Sequence, residues 1–458
     1  MAHVVTAFLR DRGEVLLVRR GDAVGTYSGR WGGVSGYVED ETDDPVDDAL
    51  REIREETGIG KTDLTLVRRG DTVAVHDAEG AFTVHPFLFD CDTRAVEPNE
   101  ELAATEWVQP PAMLERETVP RLWDAYRAVG PTAETVAADR THGSASVSVR
   151  ALEALRDEAA DATLAGHPWE SVADAARALR DARPGMTALA TRVNRVMSEA
   201  DRREASTRTG NTVTREGNEA DRTPAAVRDR AVAAVADAVA ADDLAARETA
   251  AVLADHGDGD DGGSPALLTL SRSGTVAEVL SDADGPVFVA ESEPGGEGRE
   301  VAASLAAGDD EPATDDRAVT LLPDSAVASL LADGRVDAAL VGADAVFPDG
   351  GVANKVGTRG LALAAAREGV PVYAATARDK VVPAGAAFHP EEAPFEAAEG
   401  VETYAPLFDR APADCVTVVT EDGPLDPETV RAMAEEHRAL AAWDRDGDAD
   451  RGDDDGKE

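Results

Sequence analysis

Lysine is almost missing from this chain. Lys61, Lys355, Lys380 and Lys457 are its whole complement, and arginine supplies the rest of the 45 basic residues against 90 acidic ones, for a formal charge of −45. No basic stripe is available to meet nucleic-acid phosphates, so direct nucleic-acid binding is not expected. Cysteine is as scarce. Cys91 and Cys415 stand far apart and without metal spacing, which excludes a disulfide framework and suits a reducing compartment. No apolar run is long enough for a membrane span and no signal pattern opens the chain, so the expectation is a cytoplasmic protein with no membrane contact. Aromatic residues make up 4 %, leaving Ala, Val and Leu to build the cores.

What is abundant is acid, and with it 458 residues, enough for two or three domains. Acid without lysine reads as adaptation to a halophilic cytoplasm of molar salt, where the Debye length is about 3 Å and self-repulsion is screened. The melting temperature is therefore expected to rise steeply between dilute buffer and molar KCl; a value unchanged by salt would refute this reading. On such a background an acidic run carries little information. A retained lysine carries more.

The amino-terminal third alternates strand-like and helix-like segments. Residues 3–9 and 14–19 read as strands joined by a turn at Asp11–Gly13, with further strands at 72–75, 82–89 and 106–108 and a helix near 119–128. Trp31 and Gly32-Gly33 lead into a loop holding Gly36. Arg51-Glu52-Ile53-Arg54-Glu55-Glu56-Thr57-Gly58-Ile59 then reads as a helix closed by glycine. Glu52, Glu55 and Glu56, at i, i+3 and i+4, share one helix face, where like charges repel unless a divalent cation offsets them. Mg²⁺, which prefers carboxylate, water and phosphate oxygens, is the natural candidate.

This segment resembles the Nudix hydrolase signature, G-x5-E-x7-R-E-U-x-E-E-x-G-U, with U a bulky aliphatic. The right half matches throughout; Gly36 lies one position further from Arg51 than the family spacing, and the outlying glutamate falls on Thr42 or Asp43. The resemblance implies an α/β/α sandwich over residues 1–130 that cleaves a nucleoside diphosphate-linked substrate. It implies Mg²⁺ (or Mn²⁺) on Glu52, Glu55 and Glu56, which carry the catalysis. Gly36 and Arg51 belong to the substrate side, Gly36 letting the loop approach the metal and Arg51 orienting the helix through an internal ion pair.

Residues 135–255 read as Ala-rich helices, with a polar run at 203–222, and Gly257–Gly263 as a flexible connector. Apolar strands follow at 267–270, 286–290, 318–322, 338–341, 372–375 and 415–419, separated by Ala-rich helices, the pattern of a doubly wound parallel sheet over 264–440. Residues 441–458 read as an acidic flexible tail, despite the alternating Asp444, Asp446 and Asp448. Ligands of such sheets bind at the carboxyl ends of the strands. There stand Ser271-Arg272-Ser273, Glu291-Ser292-Glu293, Asp324-Ser325, Asp344 and Thr376. Asp344, set in apolar sequence, is expected to be partly buried with a raised pKa, suited to shuttling protons.

Val341-Gly342-Ala343-Asp344, Gly351 to Thr358 with its Asn354-Lys355 pair, and Asp379-Lys380 resemble a second family. It unites the alpha, beta and delta subunits of translation initiation factor 2B with ribose-1,5-bisphosphate and methylthioribose-1-phosphate isomerases. Over about 135–440 the resemblance implies a helical subdomain (135–255) and a Rossmann-like domain that binds a nucleotide-type or sugar-phosphate molecule. Arg299, Asn354, Lys355 and Lys380 are its phosphate-facing groups, and the unit forms a homo-oligomer. The isomerases pair an aspartate, matched by Asp344, with a cysteine. Ser271 stands in the cysteine's place, among the substrate-binding residues. A serine hydroxyl is far less acidic than a thiol of pKa about 8.5, and Glu293 replaces an arginine before Pro294. Both changes predict that isomerase activity is absent.

The whole chain is thus expected to be α/β: a Nudix sandwich, a helical subdomain and a doubly wound sheet. Three functions stay open. They are a diphosphate hydrolase with a ligand-binding partner domain, a sugar-phosphate isomerase using Asp344, and a non-catalytic regulator with a translation factor as partner.

Overall fold

The computed structural model describes residues 2–23, 25–39, 44–201, 222–254, 264–307, 318–388, 392–393 and 400–447, residues 445–447 by backbone alone. Thr42 and Asp43, most of the polar run near 203–222, the glycine-rich connector and Asp448 lie outside these. The chain divides into two compact units: residues 1–135, 152–172 and 223–236, and residues 136–151, 173–222 and 237–458. Among the described residues no helix is long and apolar enough to cross a membrane.

The first unit is built on one mixed sheet. Its strands are β1 (Ala2–Asp11), β2 (Glu14–Arg20), β3 (Trp31–Gly32), β4 (Val34–Tyr37), β5 (Leu64–Arg69), β6 (Val73–His76), β7 (Ala81–Cys91) and β8 (Leu102–Val108). β1 and β7 pair in parallel at the centre, and β4 joins β1 antiparallel with Gly36 opposite Val5. Side chains alternate across a strand. Val5, Ala7 and Leu9 therefore pack with Ala49 and Ile53 of helix α1 (Pro45–Thr57), while Phe8 packs on the other face with Leu122 and Tyr126 of α2 (Leu122–Arg127). Both faces are covered, giving the α/β/α sandwich.

α1 is specified at both ends. Asp44 caps it by accepting from the Val46 amide, Pro45 opens it, and Gly58, at φ 75°, closes it with its amide on the Arg54 carbonyl.

Helices α3 (Ala133–Ala138), α4 (Ser144–Ala165), α5 (Trp169–Arg180), α6 (Thr187–Asp201) and α7 (Pro224–Ala254) follow. Residues 152–165 of α4 belong to the first unit, where they bring a buried ionic cluster to the Phe8 face of the sheet. Arg10 pairs there with Asp90 and Glu153. Arg156, fully buried, donates to Asp157, to the Gly13 carbonyl, to Gln109 and to the Tyr126 hydroxyl.

The second unit holds β9 (Leu267–Leu270), α8 (Gly274–Ser281), β10 (Val287–Ala290), α9 (Glu297–Ala307), β11 (Val319–Leu322), α10 (Val327–Ala332), β12 (Ala338–Val341), β13 (Ala345–Val346), β14 (Val352–Lys355), α11 (Thr358–Glu368), β15 (Val372–Ala375), β16 (Phe408–Ala411), β17 (Thr417–Thr420), β18 (Gly423–Pro424) and α12 (Pro427–Leu440). The main sheet runs β11-β10-β9-β12-β15-β17 in parallel, with β18 turning back on β17. Strand order reverses between β9 and β12, which makes that crevice the topological switch point of a Rossmann-like sheet. Strands β13, β14 and β16 form a small antiparallel sheet beside it. Asp444, read from sequence as part of a flexible tail, instead accepts from Arg177 Nε at 2.6 Å and Arg180 Nη1 at 2.7 Å.

Candidate functional site

In the first unit a cleft of about 420 Å³ is lined by Gly36, Arg51, Glu52 and Glu55, and also by Arg20 and Glu101. Gly36 sits in strand β4, not in a loop as the sequence reading has it. Its role there is steric, since a Cβ at this position would run into the Glu52 side chain. Nor do the three glutamates share one exposed face. Glu55 points to solvent, Glu52 is half-buried, and Glu56 turns inward with 3 % exposure.

Arg51 gathers the acids around it. It reaches Glu52 Oε1 at 2.8 Å, Asp48 Oδ1 at 3.0 Å, Glu55 Oε2 at 3.6 Å and Glu39 Oε1 at 3.6 Å, and donates to the Tyr37 carbonyl. Burial pushes the Glu56 carboxyl up to about 8, against the pull of Arg20 and with the push of Glu52 and Glu101. Its Oε2 is buried with no hydrogen-bond partner. Burial likewise raises Glu52, which Arg51 opposes. Among the described residues no three carboxylate, imidazole or thiol groups converge as they stand on a metal position. In donor type the set still suits a hard divalent ion, and the orphaned Glu56 oxygen is the kind of group such an ion satisfies. Sequence reasoning missed Glu101, whose place depends on a loop that brings its carbonyl to the Gly21 amide at 2.6 Å.

In the second unit a cavity of about 210 Å³ lies at the switch point. The loop after β9 supplies Ser271, Arg272 and Ser273, the loop after β12 supplies Asp344, and Asn354, Lys355 and Lys380 complete it. Five residues singled out by sequence therefore meet in one place. Lys355 Nζ donates to Glu297 Oε1 at 2.7 Å and to the Pro294 carbonyl; Lys380 Nζ donates to the Ala343 carbonyl at 2.7 Å. Burial lowers the pKa of Lys380, and Asp344 works against that. Beneath it, burial would raise Asp379, but Arg192 and Arg195 outweigh it and hold the carboxyl below its usual range.

Arg299 is not brought to this cavity: it is exposed and engaged by Glu291 and Glu293. Glu293 is absent from the lining as well, and the carboxylates that line the cavity are Glu297 and Asp344. Arg140, His142 and Arg183 line it without having been picked out as ligand groups from sequence; arginine is too common here to signal a site.

Glu421 accepts from the Arg378 amide at 2.9 Å at the start of the turn that carries Lys380. Burial pushes its carboxyl up to about 7, against the Arg378 amide and helped by Asp379 and Asp422. A carboxyl whose folded pKa exceeds its unfolded value binds its proton more tightly when folded. Its stabilisation is thus complete below the ordinary glutamate range, near 4.3, and is lost as pH rises through about 7. At fixed molar salt, the fall in melting temperature from pH 5.5 to pH 8 is expected to be shallower in Glu421→Gln than in the parent; equal slopes would contradict the assignment.

Comparison with known proteins adds two family matches. The model described as "NUDIX domain" matches residues 1–129, and that described as "Initiation factor 2 subunit family" matches residues 140–427. Similar curated proteins include the methylthioribose-1-phosphate isomerase of Ostreococcus lucimarinus, 42% identical over 121 residues, 23% of this chain and 33% of that protein. The enzyme of the same description from Heliobacterium modesticaldum is 40% identical over 134 residues, 26% of this chain and 39% of that one. The chain thus spans little more than a third of the length of these relatives. Among solved structures, the translation initiation factor eIF-2B of Pyrococcus horikoshii OT3 aligns with TM-score 0.49 at 20% identity, over 64% of this chain and 94% of that one. The 5-methylthioribose 1-phosphate isomerase of the same organism aligns with TM-score 0.48 at 20% identity, over 74% and 90%.

Proposed function

The chain belongs to the initiation factor 2 subunit family and carries a NUDIX domain ahead of it, and from that premise we propose a divalent-metal-dependent hydrolase of a nucleoside diphosphate-linked substrate joined to a unit that binds a phosphorylated small molecule. The observation that carries the first half is the cleft of α1: Glu52 and Glu55 at its wall, Glu56 behind them with an orphaned oxygen, and Gly36 leaving room for Glu52.

Glu52, Glu55 and Glu56 would hold Mg²⁺ or Mn²⁺. When bound, that ion neutralises diphosphate charge and makes water a better nucleophile. Arg51 holds the Glu52 and Glu55 carboxylates in register and would have to release Glu52 for that carboxylate to serve the ion. Among the described residues Arg20 is the other cation of the cleft, and it would face the diphosphate. Glu101, which lines the same cleft, would accept a proton from water.

For the second unit, the meeting of Ser271, Asp344, Asn354, Lys355 and Lys380 at the switch point supports binding of a sugar phosphate or nucleotide, and homo-oligomerisation is part of the same proposal. Ser271 argues against proton transfer of the isomerase kind. The relatives' activity favours it, so both are tested together. The full chain in molar KCl is offered a panel of nucleoside diphosphate derivatives, then ribose 1,5-bisphosphate and methylthioribose 1-phosphate. Mg²⁺-dependent cleavage of the former, stopped by chelation, is expected, with no ketose from the latter. Ketose formation would make Asp344 a catalytic residue. Co-purification with translation factors and no turnover of any phosphate ester would favour a regulator.

A further inference from the structure

The cleft of the first unit has a second half that the acidic helix does not use. Val4, Val75, Phe82 and Val84 line it. Val4 lies opposite Val84 and Val75 opposite Phe82, so these four side chains share one face across three adjacent strands. Tyr27 stands against this wall, its ring centroid 6.2 Å from that of Phe82 and tilted by 58°.

The hydroxyls of Tyr27, Ser35 and Thr6 at this end are already engaged. The Tyr27 hydroxyl donates to Asp77 at 2.8 Å, and the Ser35 hydroxyl lies 3.0 Å from Thr6 Oγ1 and donates to the Gly33 carbonyl. A polyhydroxylated group placed against this wall would exchange water for four apolar side chains and hydroxyls whose protons are already engaged, a penalty that a flat ring avoids. A flat ring also gains stacking on aromatic faces. Among the described residues the cleft's cationic side chains are Arg51, which lies with the acids, and Arg20, which lies between them and Tyr27, acting on Glu56 while donating to the Thr26 carbonyl at 3.0 Å. Phosphates therefore belong at one end and an uncharged planar group at the other, within a volume ordinary for a small-molecule site.

We propose that Tyr27 and Phe82 determine specificity in this cleft by receiving the flat heterocyclic ring of the substrate, so that sugar- or polyol-linked diphosphates are discriminated against. The proposal rests on reading the cleft as a diphosphate site, and its test reads binding so that the two can fail separately. The full chain in molar KCl, with Ca²⁺ in place of Mg²⁺ to suppress turnover, is titrated calorimetrically with ADP and with ribose 5-diphosphate, which differ by the ring alone.

ADP is expected to bind about ten-fold more tightly or better, the range that stacking of one base supplies. Phe82→Leu, which keeps apolar volume while removing the ring, and Tyr27→Ala should each erase most of that margin. Equal dissociation constants in the parent would overturn the proposal, as would a margin that survives both substitutions. A margin that behaves as expected in a protein without hydrolase activity would keep the ring site and remove the hydrolase reading.

Discussion

Glu55→Gln and Glu56→Gln are each expected to lower Mg²⁺-dependent diphosphate release on the order of a hundred-fold or more, the scale set by losing one well-placed electrostatic group in an active site. The two variants should separate in stability. Glu55 is exposed, so its loss should leave the fold as it was. Glu56 is 3 % exposed, and burial has pushed its carboxyl up to about 8. Its ionised form is therefore costly to the folded protein, and that cost is largest above this pH, where the carboxylate is charged in both states. A neutral glutamine of the same shape removes it. Glu56→Gln is thus expected to melt no lower than the parent at pH 9 while its activity collapses, and this opposition separates a functional group from a structural one. Activity that persists in both variants would contradict the assignment; a lower melting temperature in Glu56→Gln would contradict its electrostatic half.

The largest effect on stability is expected from Arg156→Ala. Arg156 and Asp157 are both fully buried, and the guanidinium also serves the Gly13 carbonyl, Gln109 and the Tyr126 hydroxyl. Without it Asp157 keeps the Tyr126 hydroxyl at 2.8 Å and a distant Arg127 at 3.9 Å. Breaking one side of a buried pair costs about 3–5 kcal/mol. For a unit of this size each kcal/mol lowers the melting temperature by roughly 2–4 °C, so a drop of roughly 10 °C follows. Differential scanning fluorimetry in molar KCl measures it. A shift within the scatter of surface variants would show that the cluster is solvated in solution.

The same cluster shows what sequence could not reveal. In a chain this acidic, Glu153, Arg156 and Asp157 are indistinguishable by composition from a solvated helix face, and only the packing of α4 residues on the sheet makes them interior. Much else was legible. The apolar runs 267–270, 338–341 and 372–375 coincide with β9, β12 and β15, because strands buried on both faces are continuous apolar stretches. Gly58 closes α1 as a glycine at that position should. The short strands β4, β14 and β16 were not legible: four residues with glycine or polar side chains carry no alternation to read. That is why Gly36 reads as a loop residue in sequence, and Asn354 and Lys355 as a motif without an element. Arg299 stands outside the second cavity for a local reason. Its nearest acids, Glu291 and Glu293, are close in sequence, and local pairing left it out of the cavity.

The central claim is that the carboxylates of α1 form a divalent-ion site, and Mn²⁺ titration followed by electron paramagnetic resonance tests it most directly. Molar KCl screens the diffuse attraction of a surface carrying a formal charge of −45, so only specific sites should quench the free-ion signal. Saturable binding in the parent that is lost in the combined Glu52→Gln, Glu56→Gln variant is the predicted result. Binding that survives in that variant, or a parent that leaves the free Mn²⁺ signal undiminished, would contradict it.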